Sequence, residues 1–184
     1  MGYPELQVVP RASERLRMEA KAEDGSWFMT HWPIQLSAAA TLYVGFTSNG
    51  NRRGELSSKD EDNAQTIATI GQAVGAGWLI GITALGAQRP YYRGDRNLKK
   101  HPGKDERSML LRERLAEEAL ERPARTMRIL EAVAVVTNLG ANTLSLIYAD
   151  DYGKMVAGLS AILAFLPIMF EDKNITVHNK HIEY

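Results

Sequence analysis

The chain has 184 residues and a mass of 20.4 kDa, enough for one domain and too little for two full hydrophobic cores. Its 22 Lys and Arg balance 22 Asp and Glu, so the formal net charge is zero, which argues against a dedicated nucleic-acid binder. There is no cysteine, which excludes a disulfide scaffold, a Cys-ligated zinc or iron–sulfur site and a Cys nucleophile, and leaves the redox compartment open.

A mean hydropathy of −0.27 is that of an ordinary soluble protein, but the charges are very unevenly placed. The first 31 residues are polar and charged before any apolar run begins, so no secretory signal is expected. Leu6 stands where the myristoylation pattern requires Ser or Thr. Residues 11–24 follow Pro10 and stop at Gly25, which predicts a helix in an amphipathic, cytoplasmic amino-terminal segment over 1–31.

Four windows then carry no Asp, Glu, Lys or Arg: residues 25–51, 63–88, 132–149 and 155–170, of 27, 26, 18 and 16 residues. A helix needs about 20 mostly apolar residues to cross a hydrocarbon core about 30 Å thick. The first two windows exceed that and the third is close. The fourth is short unless Lys154 and Glu171 sit in the headgroup layer. A soluble bundle helix should show a charged face every third or fourth position, yet nothing charged interrupts residues 67–85. The expected fold is therefore an all-α, polytopic membrane protein with four transmembrane helices near 33–46, 64–85, 127–148 and 154–170, forming one domain over 32–170. The last two are expected to join as a tight hairpin through Asp150, Asp151, Tyr152 and Gly153.

The 88–128 loop holds twelve Lys and Arg. Residues 105–122 read as a short helix with Glu118/Arg122 at i, i+4, followed by Glu121/Arg125 across Pro123. Pro123 either kinks that run or starts the third span. With this loop, the amino terminus and the 171–184 tail on one side, 18 of the 22 cations share it. The positive-inside rule then places both termini in the cytoplasm. An even number of spans requires the same arrangement. Trp27, Phe28, Trp32, Tyr91, Tyr92, Tyr148 and Tyr152 lie at window edges, where an interfacial aromatic belt falls. The expected location is a bacterial inner membrane or an organellar membrane.

Three constellations stand out. Gly71/Gly75 and Gly77/Gly81 are two GxxxG spacings in one span, a pattern for close helix approach within or between subunits. Glu131, Asn138, Asn142 and Ser145 share one face of the third span, and Gln65, Thr69 and Gln72 form a row in the second. Polar groups at membrane depth need partners, so the rows are expected to face each other or water. Arg89, Arg93, Arg96, Lys99 and Lys100 form a juxtamembrane basic cluster suited to anionic lipid headgroups. His178 and His181 are three apart, but a metal site would need further ligands. No Ser/His/Asp set, phosphate-binding loop or HExxH motif is present. No catalytic residue, metal or cofactor is therefore assigned.

The reading these features favour is a non-enzymatic integral membrane subunit that packs into a homo-oligomer or a larger membrane complex, with membrane lipids as its other partners and no nucleic acid. A small channel, suggested by the polar rows, comes second. A lipid-modifying enzyme, suggested only by the basic cluster beside Tyr91 and Tyr92, comes third.

Overall fold

Two prolines, two acidic caps and a run of strong helix formers decide where this chain turns. The computed structural model describes residues 9–23, 30–48 and 58–183, and all regular structure among them is helical. The helices are α1 (Ala12–Ala22), α2 (Trp32–Thr47), α3 (Ser58–Gly86), α4 (Pro90–Leu98), α5 (Glu106–Tyr148), α6 (Asp151–Leu163), α7 (Leu166–Met169) and α8 (Lys173–Ile182). Trp27, Phe28, Gly25, Arg52, Arg53 and the side chain of Tyr148 lie outside the described residues.

Several boundaries differ from the expected ones. The run 105–122 does not stop at Pro123: α5 continues through it for 43 residues. A proline inside a helix removes one hydrogen bond. Here the ion pair Arg122–Glu118 precedes the gap and Arg125–Glu121 bridges it, while Ala124 and Met127 are fully buried just beyond it. The stretch 154–170 is not one helix. It begins earlier, where Asp150 caps α6 by accepting the Gly153 N–H at 2.7 Å, and it breaks after Leu163, with Pro167 in the first turn of α7. Helix α4 was not expected; Pro90 occupies its first position, where the missing N–H costs nothing. Helix α8 forms inside the expected tail, capped by Asp172, which accepts the Asn174 N–H at 2.9 Å.

Three helical stretches are long and apolar enough to cross a membrane: Lys59–Leu98, Glu106–Ile147 and Asp151–Ile182. Helix α2, at 16 residues, is about 24 Å long at 1.5 Å per residue. That falls short of the hydrocarbon core of about 30 Å by roughly one turn.

The chain divides into two compact units. The first comprises residues 1–30, 85–129 and 172–184, and the second 31–84 and 130–171. In the first unit α1 packs on α4. Leu16, Tyr91, Leu98 and Leu120 fill a core closed by Ala12, Ala20, Ala116 and Val177. Gly94 permits the crossing, because a Cβ there would come within 2.9 Å of the Ala119 Cβ. Tyr91 is thus a core residue, 1% exposed, rather than part of an interfacial belt.

The second unit is built the other way round. Helix α2 packs against α6 and α7, and the Trp32 and Phe170 rings meet with centroids 5.1 Å apart. Its interior holds Ser37, Thr41, Asn138, Asn142, Ser145 and Ser160 among alanines. Ile34, Val44 and Ile82 are buried with them, while many of its other large aliphatic side chains point outward, with Ile80 72% and Val136 70% exposed.

Candidate functional site

The most developed polar arrangement is a ladder in the second unit. On α5, Asn138 and Asn142 are one turn apart; on α2, Ser37 and Thr41 have the same spacing, so two rungs align. The Asn138 amide donates to the Ser37 hydroxyl at 2.9 Å, and the Asn142 amide donates to the Thr41 hydroxyl at 3.2 Å. The Thr41 hydroxyl donates in turn to the Ser37 carbonyl at 3.1 Å. All four side chains are fully buried. The Ser145 hydroxyl, below them, donates to the Ala141 carbonyl of its own helix at 3.0 Å. Glu131, at the other end of the row, is half-buried and engaged.

The expected partner row is therefore not the partner. Gln65 and Thr69 are exposed, and the Thr69 hydroxyl donates to the Gln65 carbonyl of its own helix at 2.8 Å. Gln72 reaches α2 instead, donating to the Gly45 carbonyl at 3.0 Å. The Asn row faces α2, which presents small residues and hydroxyls to it. The matching signal was Ser37 and Thr41 at four-residue spacing, which the carboxamides on 63–88 overshadowed. The α3–α5 contact uses a different pair, the Trp78 indole N–H donating to the Thr137 hydroxyl at 2.8 Å.

The ladder contributes little net stability. Interhelical hydrogen bonds in membranes average about 0.6 kcal/mol and reach about 2. The Oδ1 atoms of Asn138 and Asn142 are buried without a hydrogen-bond partner, and each such group costs about 1–3 kcal/mol. Its role is then to fix the register of α2 on α5, since a one-turn slip would leave one of the two amides without its hydroxyl.

The two glycine pairs part company. Gly71 and Gly75 are buried against α2. A Cβ on Gly71 would lie 3.2 Å from the Gly45 Cα, and one on Gly75 would lie 2.5 Å from the Leu42 backbone nitrogen. Gly45, absent from the expected set, is the reciprocal contact, its Cβ position 2.6 Å from the Gln72 nitrogen. Gly77 and Gly81 face open space, with nothing within 4 Å of either Cβ position. Ala73 continues their exposed line one turn earlier.

In the first unit, buried charges sit at helix ends. The Glu113 carboxylate accepts the Ser13 N–H at 3.0 Å and its hydroxyl at 2.7 Å, at the amino end of α1. Arg15 donates to the Lys180 carbonyl at 2.6 Å, in the last turn of α8. Glu23 accepts the N–H groups of Tyr91 and Tyr92 at 3.2 and 2.8 Å, in the first turn of α4. Burial pushes the Glu23 carboxyl above its ordinary value, against these two hydrogen bonds and the Lys173 and Arg89 charges, which hold it down. These signs match the helix dipole.

The basic cluster is spread around α4. Arg89 is the left-handed residue before the helix, with φ 48°. Lys99 pairs with Asp95 at 2.6 Å. Arg96 and Lys100 are exposed. Arg93 lines an open cleft of about 380 Å³ between α4 and α5, together with Gln88, Asn97, Glu118, Arg122 and Pro123. Among the described residues no cluster of three metal-ligating side chains occurs. No protein-family model, curated protein or solved structure matches the chain.

Proposed function

We propose that this protein is a non-enzymatic integral membrane subunit whose second unit lies in the bilayer and whose first unit stands in the cytoplasm. The observation that carries this reading is the reversal of solvent preference between the units. The first hides Leu16, Leu98 and Leu120 and exposes most of its charges, Arg15, Glu113 and Asp172 being buried exceptions, as a protein in water does. The second hides amides and hydroxyls and exposes Ile80, Val136, Ile162 and Ile168. Hydrocarbon accepts that outer surface, whereas water would make it an aggregation site. Helix α2 serves as a fourth span, short in itself, and parity then keeps both termini on the side rich in Lys and Arg.

A second copy of the chain is the partner this reading favours. The exposed line Ala73, Gly77 and Gly81 has the small-residue spacing at which helix backbones approach across a two-fold axis. A channel remains the second reading. The unpartnered Oδ1 atoms of Asn138 and Asn142 support it, while their amide bonds to α2 occupy the same face.

One experiment separates these readings. In lipid nanodiscs or mild detergent, the wild type should have the mass of at least a dimer. Replacing Gly77 and Gly81 together with Leu should return it to monomer mass while it stays inserted. A monomeric wild type would overturn self-assembly. An ion flux from reconstituted wild type, lost on replacing Asn138 and Asn142 with Leu, would favour the channel.

A further inference from the structure

Two exposed aromatic pairs tie α2 to the α6–α7 segment, one near each end of the helix. At its start the rings of Trp32 and Phe170 meet with centroids 5.1 Å apart. Toward its end the hydroxyls of Tyr43 and Tyr152 meet at 3.3 Å. A bond between two phenols uses one of their two O–H donors, so the other turns to water or a headgroup. Tryptophan and tyrosine, apolar at one end and polar at the other, settle at headgroup level. The two pairs therefore mark the upper and lower edges of the hydrocarbon along this face.

Those edges are close together. Trp32 and Tyr43 are 11 positions apart, which is about 17 Å along α2 at 1.5 Å per residue. The neighbouring segment gives an independent limit. Lys154 and Glu171 bound the charge-free residues 155–170, 16 in number, or about 24 Å at the same rise. Met155, Leu159, Ile162 and Ile168 recur along it at helical spacing, and all four are exposed. Both lengths fall below the hydrocarbon core of about 30 Å. The other long helices are taller by the same measure: the charge-free windows 132–149 and 63–88 hold 18 and 26 residues, about 27 and 39 Å. The unit is thus short on one face only.

We propose that the face formed by α2, α6 and α7 is a docking surface for phospholipids with short acyl chains, its height set by the Trp32–Phe170 and Tyr43–Tyr152 pairs. Longer chains would carry hydrocarbon past the tyrosine hydroxyls and the Lys154 ammonium, or would have to compress, and either response costs energy with each ångström of mismatch. Shorter chains bring their headgroups level with those polar groups. The proposal rests on membrane embedding as read above, but not on self-assembly.

The test is thermal unfolding, followed by circular dichroism, in vesicles of dimyristoleoyl-, dioleoyl- or dierucoyl-phosphatidylcholine, which share a headgroup and increase in chain length in that order. The wild type should melt highest in the dimyristoleoyl lipid, about 5 °C or more above its value in the dioleoyl lipid, and lowest in the dierucoyl lipid. Tyr43→Leu combined with Tyr152→Leu removes one edge. Whatever it costs in absolute stability, the difference between the first two lipids should shrink to roughly half or less. Tyr92→Leu, which removes an exposed tyrosine of the first unit, should leave that difference intact. A wild type that melts highest in the dioleoyl or dierucoyl lipid would overturn the proposal. Equal melting in all three would also overturn it, and would mean that protein, such as a second copy, covers the face instead of lipid. An undiminished difference in the double variant would remove the tyrosine pair as the edge. A chain recovered as a soluble monomer without detergent would instead sink the membrane reading itself.

Discussion

Three side chains far apart in sequence finish helices they do not belong to: Glu113 for α1, Glu23 for α4 and Arg15 for α8. Each meets backbone groups that a helix cannot satisfy internally, so each ties two segments of the first unit together. Glu23 gives a pH test. Its carboxyl is raised from 4.5 chiefly by burial, so the folded state holds the proton more tightly than the unfolded chain. Its contribution to stability is then most favourable at low pH and declines as pH rises from 4.5 through the folded value. Glu23→Gln has no charge to desolvate there. The melting temperature of Glu23→Gln relative to wild type should therefore rise from about pH 4 to about pH 7. A difference that stays flat or falls with pH would mean the carboxylate is better solvated than its burial implies. None of these three contacts was legible in the sequence, because nothing local links residue 13 to 113 or 23 to 92.

Helix α3 carries two GxxxG pairs offset by six residues, and at 100° per residue that offset turns them to different sides. Sequence reading gave both the same meaning, although the offset already separated their faces. What it could not supply is which face α2 covers. The three long apolar stretches were legible because charge-free windows are coarse and long. The breaks at Ala164 and the continuity through Pro123 were less so, since a proline in a helical run can end it, start it or be carried by its neighbours. The polar row on α5 was identified by period alone, whereas its partner depends on which helices adjoin. The glycine difference is directly testable. Gly75→Leu drives a side chain into the Leu42 and Ala38 backbone, with contacts of 2.5 and 2.7 Å already at Cβ, and should cost several kcal/mol, at the upper end for overpacking. Gly77→Leu meets nothing within 4 Å and should not lower the stability of the monomer. Thermal melts of detergent-solubilised monomer compare the two. Equal losses would mean that α3 is rotated about its axis from the position described.

At the scale of the whole molecule, the division of the chain explains how zero net charge and a soluble-looking mean hydropathy coexist with three helices long and apolar enough for a membrane. The first unit takes residues from both termini and from 85–129, and with them 18 of the 22 cations. The second carries the other four: Arg52, Arg53, Lys59 near the start of α3 and Lys154 near the start of α6. If the second unit is embedded, the positive-inside rule holds the first unit in the cytoplasm and puts the turn after α5 on the other face. Because the native chain has no cysteine, single cysteines report on this directly. Lys100, exposed just beyond α4, is the cytoplasmic reporter. For the opposite face Asp151 is preferable to Asp150, since Asp150 caps α6 while the Asp151 side chain is fully exposed. In intact cells an impermeant thiol reagent should label Asp151→Cys and spare Lys100→Cys, and permeabilisation should make both react. Labelling of Lys100→Cys alone would invert the topology. Labelling of both in intact cells would mean that α5, the one long helix between the two positions, does not cross the bilayer.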